Sequence, residues 1–308
     1  MAAESRLFCF GLGYSALALV EALRAEGWRA AGTCRTEVKR AALAARGIDA
    51  HVFDRDHPLD DAAAALAGTT HLLSSVPPDE AGDPVLDRHG ADIARVPSLA
   101  WVGYLSTTGV YGDRGGGWVD ESSPPAPSGG RGRRRLAAEG GWLGLHARHG
   151  LPVHLFRLAG IYGPGRSALD AVRAGTARRV VKPGQVFSRI HVADIVAVLR
   201  ASMARPDPGA AYNLCDDDPA PPDAVVAFAC ELLGVAPPPP VPFEQAELSP
   251  MARSFYADNK RVRNDRIKRD LGVTLRYPDY RTGLRALLSD SAATVAPSSS
   301  RSASRDKR

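Results

Sequence analysis

Short apolar runs alternate with longer runs of helical period through the first half of the chain. Leu7–Phe10, Arg29–Cys34, Ile48–Phe53, His71–Ser75, Trp101–Ser106 and Val153–Leu158 read as strands. Ser15–Glu26, Glu37–Arg46, Asp61–Leu66, Asp83–Arg95 and Arg131–Arg148 read as the helices between them, and Pro124–Gly130 is a Pro/Gly/Ser loop. This alternation predicts an α/β fold, a Rossmann-type doubly wound parallel sheet. The second half changes character. Gly175–Phe187 reads as loop and short strand, Ala211–Cys215 as one more strand, and His191–Met203, Pro222–Leu233 and Tyr277–Leu288 as helices. Four prolines at 237–240 mark a rigid loop, and the basic segment Lys260–Arg269 reads as a helix surface. The pattern divides the chain into a dinucleotide-binding core over 1–165, the remaining sheet elements with a small C-terminal substrate lobe over 166–288, and a disordered tail over 289–308 that is poor in large apolar residues.

The first strand runs into Gly11-Leu-Gly13-Tyr14-Ser15-Ala16. Glycines let a backbone turn sharply and approach a ligand closely. A helix starting near Tyr14 directs its free amides and positive dipole end at that turn, which suits phosphate. The spacing Gly-x-Gly-x-x-Ala fits the dinucleotide fingerprint, and the strand before it and the amphipathic run after it (Leu19, Val20, Leu23) supply the required context. Gly11, Gly13, Tyr14 and Ser15 are the candidate pyrophosphate residues. An NAD-preferring site places an acidic residue about 20 residues past the glycine loop, on the ribose 2′-hydroxyl. The second strand ends instead in Gly32-Thr-Cys-Arg35-Thr36, with Lys39 and Arg40 following. Arg35 is suited to a 2′-phosphate, so the expected cofactor is NADP, with NAD the alternative. Ser74, Ser75 and Val76, at the end of the fourth strand, are expected against the cofactor because ligands bind beyond strand C-termini.

Composition adds bounds. The chain has 308 residues, 44% of them hydrophobic, and a formal charge of +5, much of it from scattered arginines. That balance suits an acidic ligand such as a dinucleotide phosphate. The basic end, Ser298–Arg308, reads as solvated rather than as a nucleic-acid arm. Cys9, Cys34, Cys215 and Cys230 show no metal or disulfide spacing, and the first two read as small core residues. The N-terminus leaves no room for a signal peptide, and no apolar run reaches the roughly 18 residues of a membrane span. A cytoplasmic protein is expected. His146 with His149 reads as a wet surface pair, and Asp216–Asp218 as a turn; no metal site is expected.

Four further segments carry a resemblance: Ser106-Thr-Thr-Gly-Val-Tyr111-Gly-Asp, Arg131-Gly-Arg-Arg-Arg135-Leu-Ala-Ala-Glu139, Phe156-Arg-Leu-Ala-Gly-Ile-Tyr-Gly-Pro164-Gly and Arg189-Ile-His-Val-Ala-Asp194-Ile. In order and spacing, from about Arg6 to Leu288, the chain resembles the extended short-chain dehydrogenase/reductases, the NAD-dependent epimerases and dehydratases. The resemblance implies a hydroxyl residue at Thr107 and an adenine contact at Asp54. It also implies a Tyr-x-x-x-Lys pair in which the phenol moves a proton and the lysine holds the nicotinamide ribose. That pair falls on Arg131 and Arg135. Arginine stays protonated at any working pH, so Arg131 cannot shuttle a proton as tyrosine does. One turn apart on a helix, both guanidinium groups are expected to face the cofactor cleft. Arg135 is expected on the ribose and Arg131 on a substrate anion. Tyr111 and Tyr162 are replacement phenols, each read first as structural. The chain looks like an atypical member with a Gly-x-Gly-Tyr loop. Two functions follow: an NADP-dependent oxidoreductase or epimerase acting, as monomer or homodimer, on a polar or anionic small molecule; or a non-catalytic NADP-binding sensor or scaffold.

Overall fold

In the computed structural model, which describes residues 5–295, seven strands form one all-parallel sheet: β1 (Arg6–Phe10), β2 (Arg29–Cys34), β3 (Asp49–Val52), β4 (His71–Ser74), β5 (Trp101–Thr107), β6 (Val153–Leu158) and β7 (Ala211–Leu214). Their order is β7-β6-β5-β4-β1-β2-β3, with every adjacent pair parallel. The expected doubly wound sheet is therefore observed. Strand order reverses between β1 and β4, so the loops after these two strands meet at the switch point where such sheets bind ligands.

β1 reads as a continuous apolar run because both of its faces are covered. Leu7 and Cys9 face α1 (Tyr14–Arg24) and α7 (Val192–Ala204), through Leu19, Val20, Ile195 and Leu199. Phe8 and Phe10 face the layer of α4 (Pro84–Ala94) and α5 (Gly130–His149), through Val85, Ile93 and Trp142. Cys9 and Cys34 are buried core residues, as expected. Side-chain caps fix where several helices begin. Thr36 accepts the Lys39 amide at the start of α2 (Glu37–Ala44), and Asp83 accepts the amides of Val85 and Leu86 at the start of α4. α1 and α5 begin on Gly13 and Gly129, with no side-chain cap.

The remaining elements form the lobe. α6 (Ala168–Arg173), α8 (Pro222–Leu233) and α11 (Tyr280–Val295) bury Leu169, Phe228, Tyr280 and Leu284 against one another. Three small parallel pairs tie the lobe together: Gly160–Tyr162 with Arg189–His191, Arg179–Val181 with Pro240–Pro242, and Trp118–Val119 with Arg261–Val262. Three sequence expectations need correction. Lys260–Arg269 is not one helix surface: Arg261–Val262 pairs as a strand and α10 (Asp265–Leu271) begins only after it. Pro240, last of the proline run, opens an edge strand, where a missing amide costs nothing. The tail expected from 289 begins as helix, because α11 continues to Val295; residues 296–308 lie outside the described residues. Among the described residues, no helix is long and apolar enough to cross a membrane.

Candidate cofactor cleft and its neighbours

The glycine loop is held from three sides. The Gly11 amide donates to Thr33 Oγ1 at 2.8 Å on β2, and the Leu12 amide donates to the Thr33 carbonyl at 2.7 Å. The Ser75 hydroxyl donates to the Gly11 carbonyl at 2.5 Å, and the Lys39 ammonium to the Leu12 carbonyl at 2.7 Å. Its two glycines serve different ends. Gly11 has φ +86°, and a Cβ there would lie 2.9 Å from Ser75 Oγ and 3.1 Å from Val76 Cγ2. Gly13 has φ −87° and ψ −169°, which any residue adopts. A Cβ on Gly13 would meet nothing nearer than Ser75 Oγ at 4.0 Å. The protein itself does not require glycine at position 13. A ligand approaching the backbone does, and the first-turn amides of Tyr14, Ser15 and Ala16 have no helical acceptor. The residues present fit a dinucleotide pyrophosphate.

Around this loop the expected site residues divide. Arg35, at the end of β2, is exposed and has no protein hydrogen bond or ion pair among the described residues. Lys39, not among the expected site residues, stands on the loop itself. Its third place in α2 was the available signal, since that position leans back toward β1. Asp54 spends Oδ1 on its own turn, accepting from the Asp56 and His57 amides and the His57 ring, which holds its carboxyl below the usual range. Val76 is half-buried beside Gly11. Two of the expected residues are engaged with the protein interior. Ser74 is fully buried and its hydroxyl has no partner among the described residues. Ser75 is half-buried and fastens the loop through the Gly11 carbonyl.

α5 docks where Gly132 lets it: a Cβ there would fall 2.7 Å from the Gly109 carbonyl. Thr107 ends β5 half-exposed, and its hydroxyl accepts the Gly109 amide at 3.1 Å, capping a short 3₁₀ turn over Thr108–Tyr111. The arginine pair does not share one cleft. Arg135 turns back onto the sheet, donating to the Leu105 carbonyl at 2.5 Å and to the Tyr104 hydroxyl at 3.3 Å. Arg131 is exposed and lays its guanidinium 4.9 Å from the ring centroid of Phe255, which ends α9 (Pro250–Phe255) of the lobe. Spacing of one turn aligned their Cβ atoms, but long side chains then took different partners.

Neither replacement phenol reaches the cleft. Tyr111 is fully buried; its hydroxyl donates to Asn213 Oδ1 at 2.8 Å and accepts from Arg157 at 2.9 Å. Burial pushes its pKa up. Arg157 in turn clasps Glu139 of α5 at 2.8 Å, and the Ser106 hydroxyl donates to the same carboxylate at 2.5 Å. This buried network fixes α5 on β5 and β6. Its sequence signal was Arg157, the one arginine in the otherwise mostly apolar run Val153–Leu158. Tyr162 packs in the lobe. His191 is buried, accepts the Ala193 amide on Nδ1 and leaves Nε2 unpartnered; burial lowers its pKa to about 4. The Tyr14 hydroxyl donates to the Pro164 carbonyl at 3.0 Å, joining the glycine loop to the turn after β6. His146 bonds the Leu151 carbonyl, and Asp217 and Asp218 pair with Lys268 and Arg281, so these side chains serve local structure.

No family model matches the chain. Protein YeeZ of Escherichia coli K12 is 29% identical over 282 residues, covering 87% of this chain and 95% of its own. A conserved protein of unknown function from Silicibacter pomeroyi has a solved structure 54% identical, with TM-score 0.86, over 93% of this chain and 99% of that one. A proposed NAD-dependent epimerase/dehydratase from Methylobacillus flagellatus is 26% identical with TM-score 0.72, over 94% of this chain and all of its own. In fold and in this likeness the chain is similar to the NAD-dependent epimerases and dehydratases of the extended short-chain dehydrogenase/reductases. Set against those proteins, its departure is chemical rather than architectural. The sheet, the glycine loop and the turn after β6 are in place, while the proton-donating phenol is absent from α5.

Proposed function

We propose that this protein binds a nicotinamide dinucleotide across the β1–β4 switch point, NADP in preference to NAD, and acts as an oxidoreductase or epimerase on a polar or anionic small molecule. The observation that carries this reading is the open space at Gly13 in front of the uncapped start of α1, with the unpaired Arg35 at the end of β2. The first-turn amides would hold the pyrophosphate, Arg35 the 2′-phosphate, and Lys39 would keep the loop shaped. When bound, the nicotinamide supplies hydride transfer. Thr107 would orient a substrate oxygen through its hydroxyl. Arg131 offers a fixed positive charge to a substrate anion, and Arg135 keeps α5 against β5 while its remaining donors serve the ribose. Proton transfer then falls to a group of the substrate or to water, because α5 carries no phenol and the Tyr14 hydroxyl at the glycine loop is spent on the Pro164 carbonyl.

A second reading, a cofactor-binding sensor or scaffold without turnover, is favoured by that missing phenol. Fluorescence titration with NADPH and NADH, followed by a panel of carbonyl compounds and nucleotide sugars, separates the two. One charge-assisted contact is worth about 1.5–3 kcal/mol, so NADPH should bind roughly ten- to a hundredfold more tightly, and Arg35→Ala should erase the preference. Equal affinities, or a preference that survives in Arg35→Ala, refute the 2′-phosphate assignment. Consumption of NADPH with any member of the panel refutes the sensor reading.

A further inference from the structure

Behind the Gly160–Tyr162 and Arg189–His191 strand pair lies a cavity of about 400 Å³, bounded by α6, α8 and α11. Its walls are of two kinds. Val225, Leu284 and the rings of Tyr162 and Tyr280 are apolar; Arg166 and Arg189 are cationic. None of the cofactor-cleft candidates lines it.

Its hydrogen-bonding capacity is one-sided. Arg189 spends Nη1 on the carbonyls of Phe187 and Ala220 at 2.8 and 3.0 Å, leaving Nε and Nη2 uncommitted. Arg166 makes no ion pair among the described residues; its guanidinium rests 5.6 Å from the ring centroid of Tyr14. The only carboxylate in the wall, Asp170, is turned to its own helix cap through one oxygen: its Oδ2 accepts from the amide and hydroxyl of Ser167 at 2.8 and 2.6 Å. The cavity therefore sets two guanidinium groups against one carboxylate that is partly committed to its own helix cap. A second carboxylate sits behind the wall. Asp216 is 1% exposed and neither of its oxygens has a hydrogen-bond partner, although its charge reaches Arg189 and Tyr162. A buried polar group left in this state is rare and costly.

We propose that this cavity is a binding site, separate from the cofactor cleft, for a small organic carboxylate with an aryl or short alkyl body. The carboxylate meets Arg189 and Arg166, and the body lies between the tyrosine rings and Leu284. The volume is within the range of ligand pockets, and a mostly apolar wall with a few convergent polar groups is their usual make-up. Asp216 tunes the site. Burial raises its pKa to about 8, with Arg189 opposing that shift and Asp218 adding to it. Below that pH Asp216 is neutral and the charge of Arg189 is free for an anion. Above it the new carboxylate neutralises Arg189 from behind and repels the ligand. Of the other groups facing it, Tyr162 is held neutral by burial and Asp218 stays paired with Arg281, so neither reverses this sign.

Isothermal titration of the full chain with benzoate, against benzyl alcohol and benzylamine as charge controls, tests the site. Benzoate should bind once per chain with a Kd on the order of 1 mM or tighter. Benzyl alcohol should bind at least about tenfold more weakly. Arg166→Ala should cost a similar factor, and Ala168→Trp, which fills the cavity without changing charge, should abolish binding. Raising the pH from about 7 to about 9 should weaken benzoate binding in the wild type and leave Asp216→Asn unaffected. NADPH should not displace the acid. Absent or non-saturable binding, better binding of the alcohol or amine, insensitivity to both cavity variants, or displacement by NADPH each overturns the proposal.

Discussion

The two loop glycines make opposite predictions, and the structure gives the size of each. Alanine at Gly13 meets an allowed backbone and open space. Relieving glycine's unfolded-state entropy adds about 0.4–1 kcal/mol, and loss of glycine's advantage over alanine at a helix N-cap removes a similar amount. Net stability should change by less than about 1 kcal/mol, a shift of roughly 2–4 °C at most. Alanine at Gly11 meets φ +86° and a contact of 2.9 Å with the hydroxyl that anchors the loop. The left-handed conformation costs roughly 1–2 kcal/mol, and displacing Ser75 adds about one hydrogen bond, for a total on the order of 2–3 kcal/mol. Cofactor affinity should rank the other way. Valine at Gly13 fills the approach to the pyrophosphate and should weaken NADPH at least about a hundredfold, roughly 2.7 kcal/mol, with the melting curve unmoved. Circular dichroism melts and NADPH titrations on the same preparations read both quantities. A folded Gly13→Val that binds at wild-type affinity would show that no phosphate sits there. A Gly13→Ala that melts as early as Gly11→Ala would show that the space is not open.

Glu139→Gln or Arg157→Met should cost about 3–5 kcal/mol by leaving a buried charge unpaired, whereas the double change Glu139→Leu with Arg157→Met should recover most of it in a denaturant titration. Asp216→Asn should stabilise the protein above pH 4. A carboxyl whose folded pKa is about 8 and whose unfolded value lies near 4 loses stability as pH rises through that window, so the variant's gain should grow from about pH 4 to pH 8 and vanish below it. Arg135→Ala should lower both melting temperature and cofactor affinity because it frees a carbonyl of β5. Arg131→Ala should leave both nearly unchanged, with substrate binding as the readout that moves.

Much of the fold was legible because its signals are local. An apolar run, a glycine turn and an amphipathic helix recur along the chain, and each is set by residues within a few positions of one another. The turn at Gly11 and Gly13 and the exposed end of β2 at Arg35 could be read the same way, since each sits in one short segment. What sequence missed is set by pairing at a distance. The separation of 64 positions between Gly11 and Ser75 hid that this serine anchors the loop. Ser74, its neighbour in a strand that alternates sides, fell into the interior. Arg131 and Arg135 share a helix face, yet one is drawn to an aromatic ring of the lobe and the other to a carbonyl of the sheet. The helical start at Ser289–Val295 was missed because composition alone does not report what α11 packs against.

The clasp between Glu139 and Arg157 also bears on how such a protein changes over generations. Either partner lost alone leaves a stranded charge, so single steps away from the pair pass through a deep stability trough. Lineages are held to keep both or to exchange both together. The helix that carries Glu139 is thereby locked in register on β5 and β6, while its exposed first turn is free to vary. Position 131 is thus one at which chemistry can be rewritten without disturbing the scaffold that presents it, and an arginine in place of a phenol is a change this architecture can absorb.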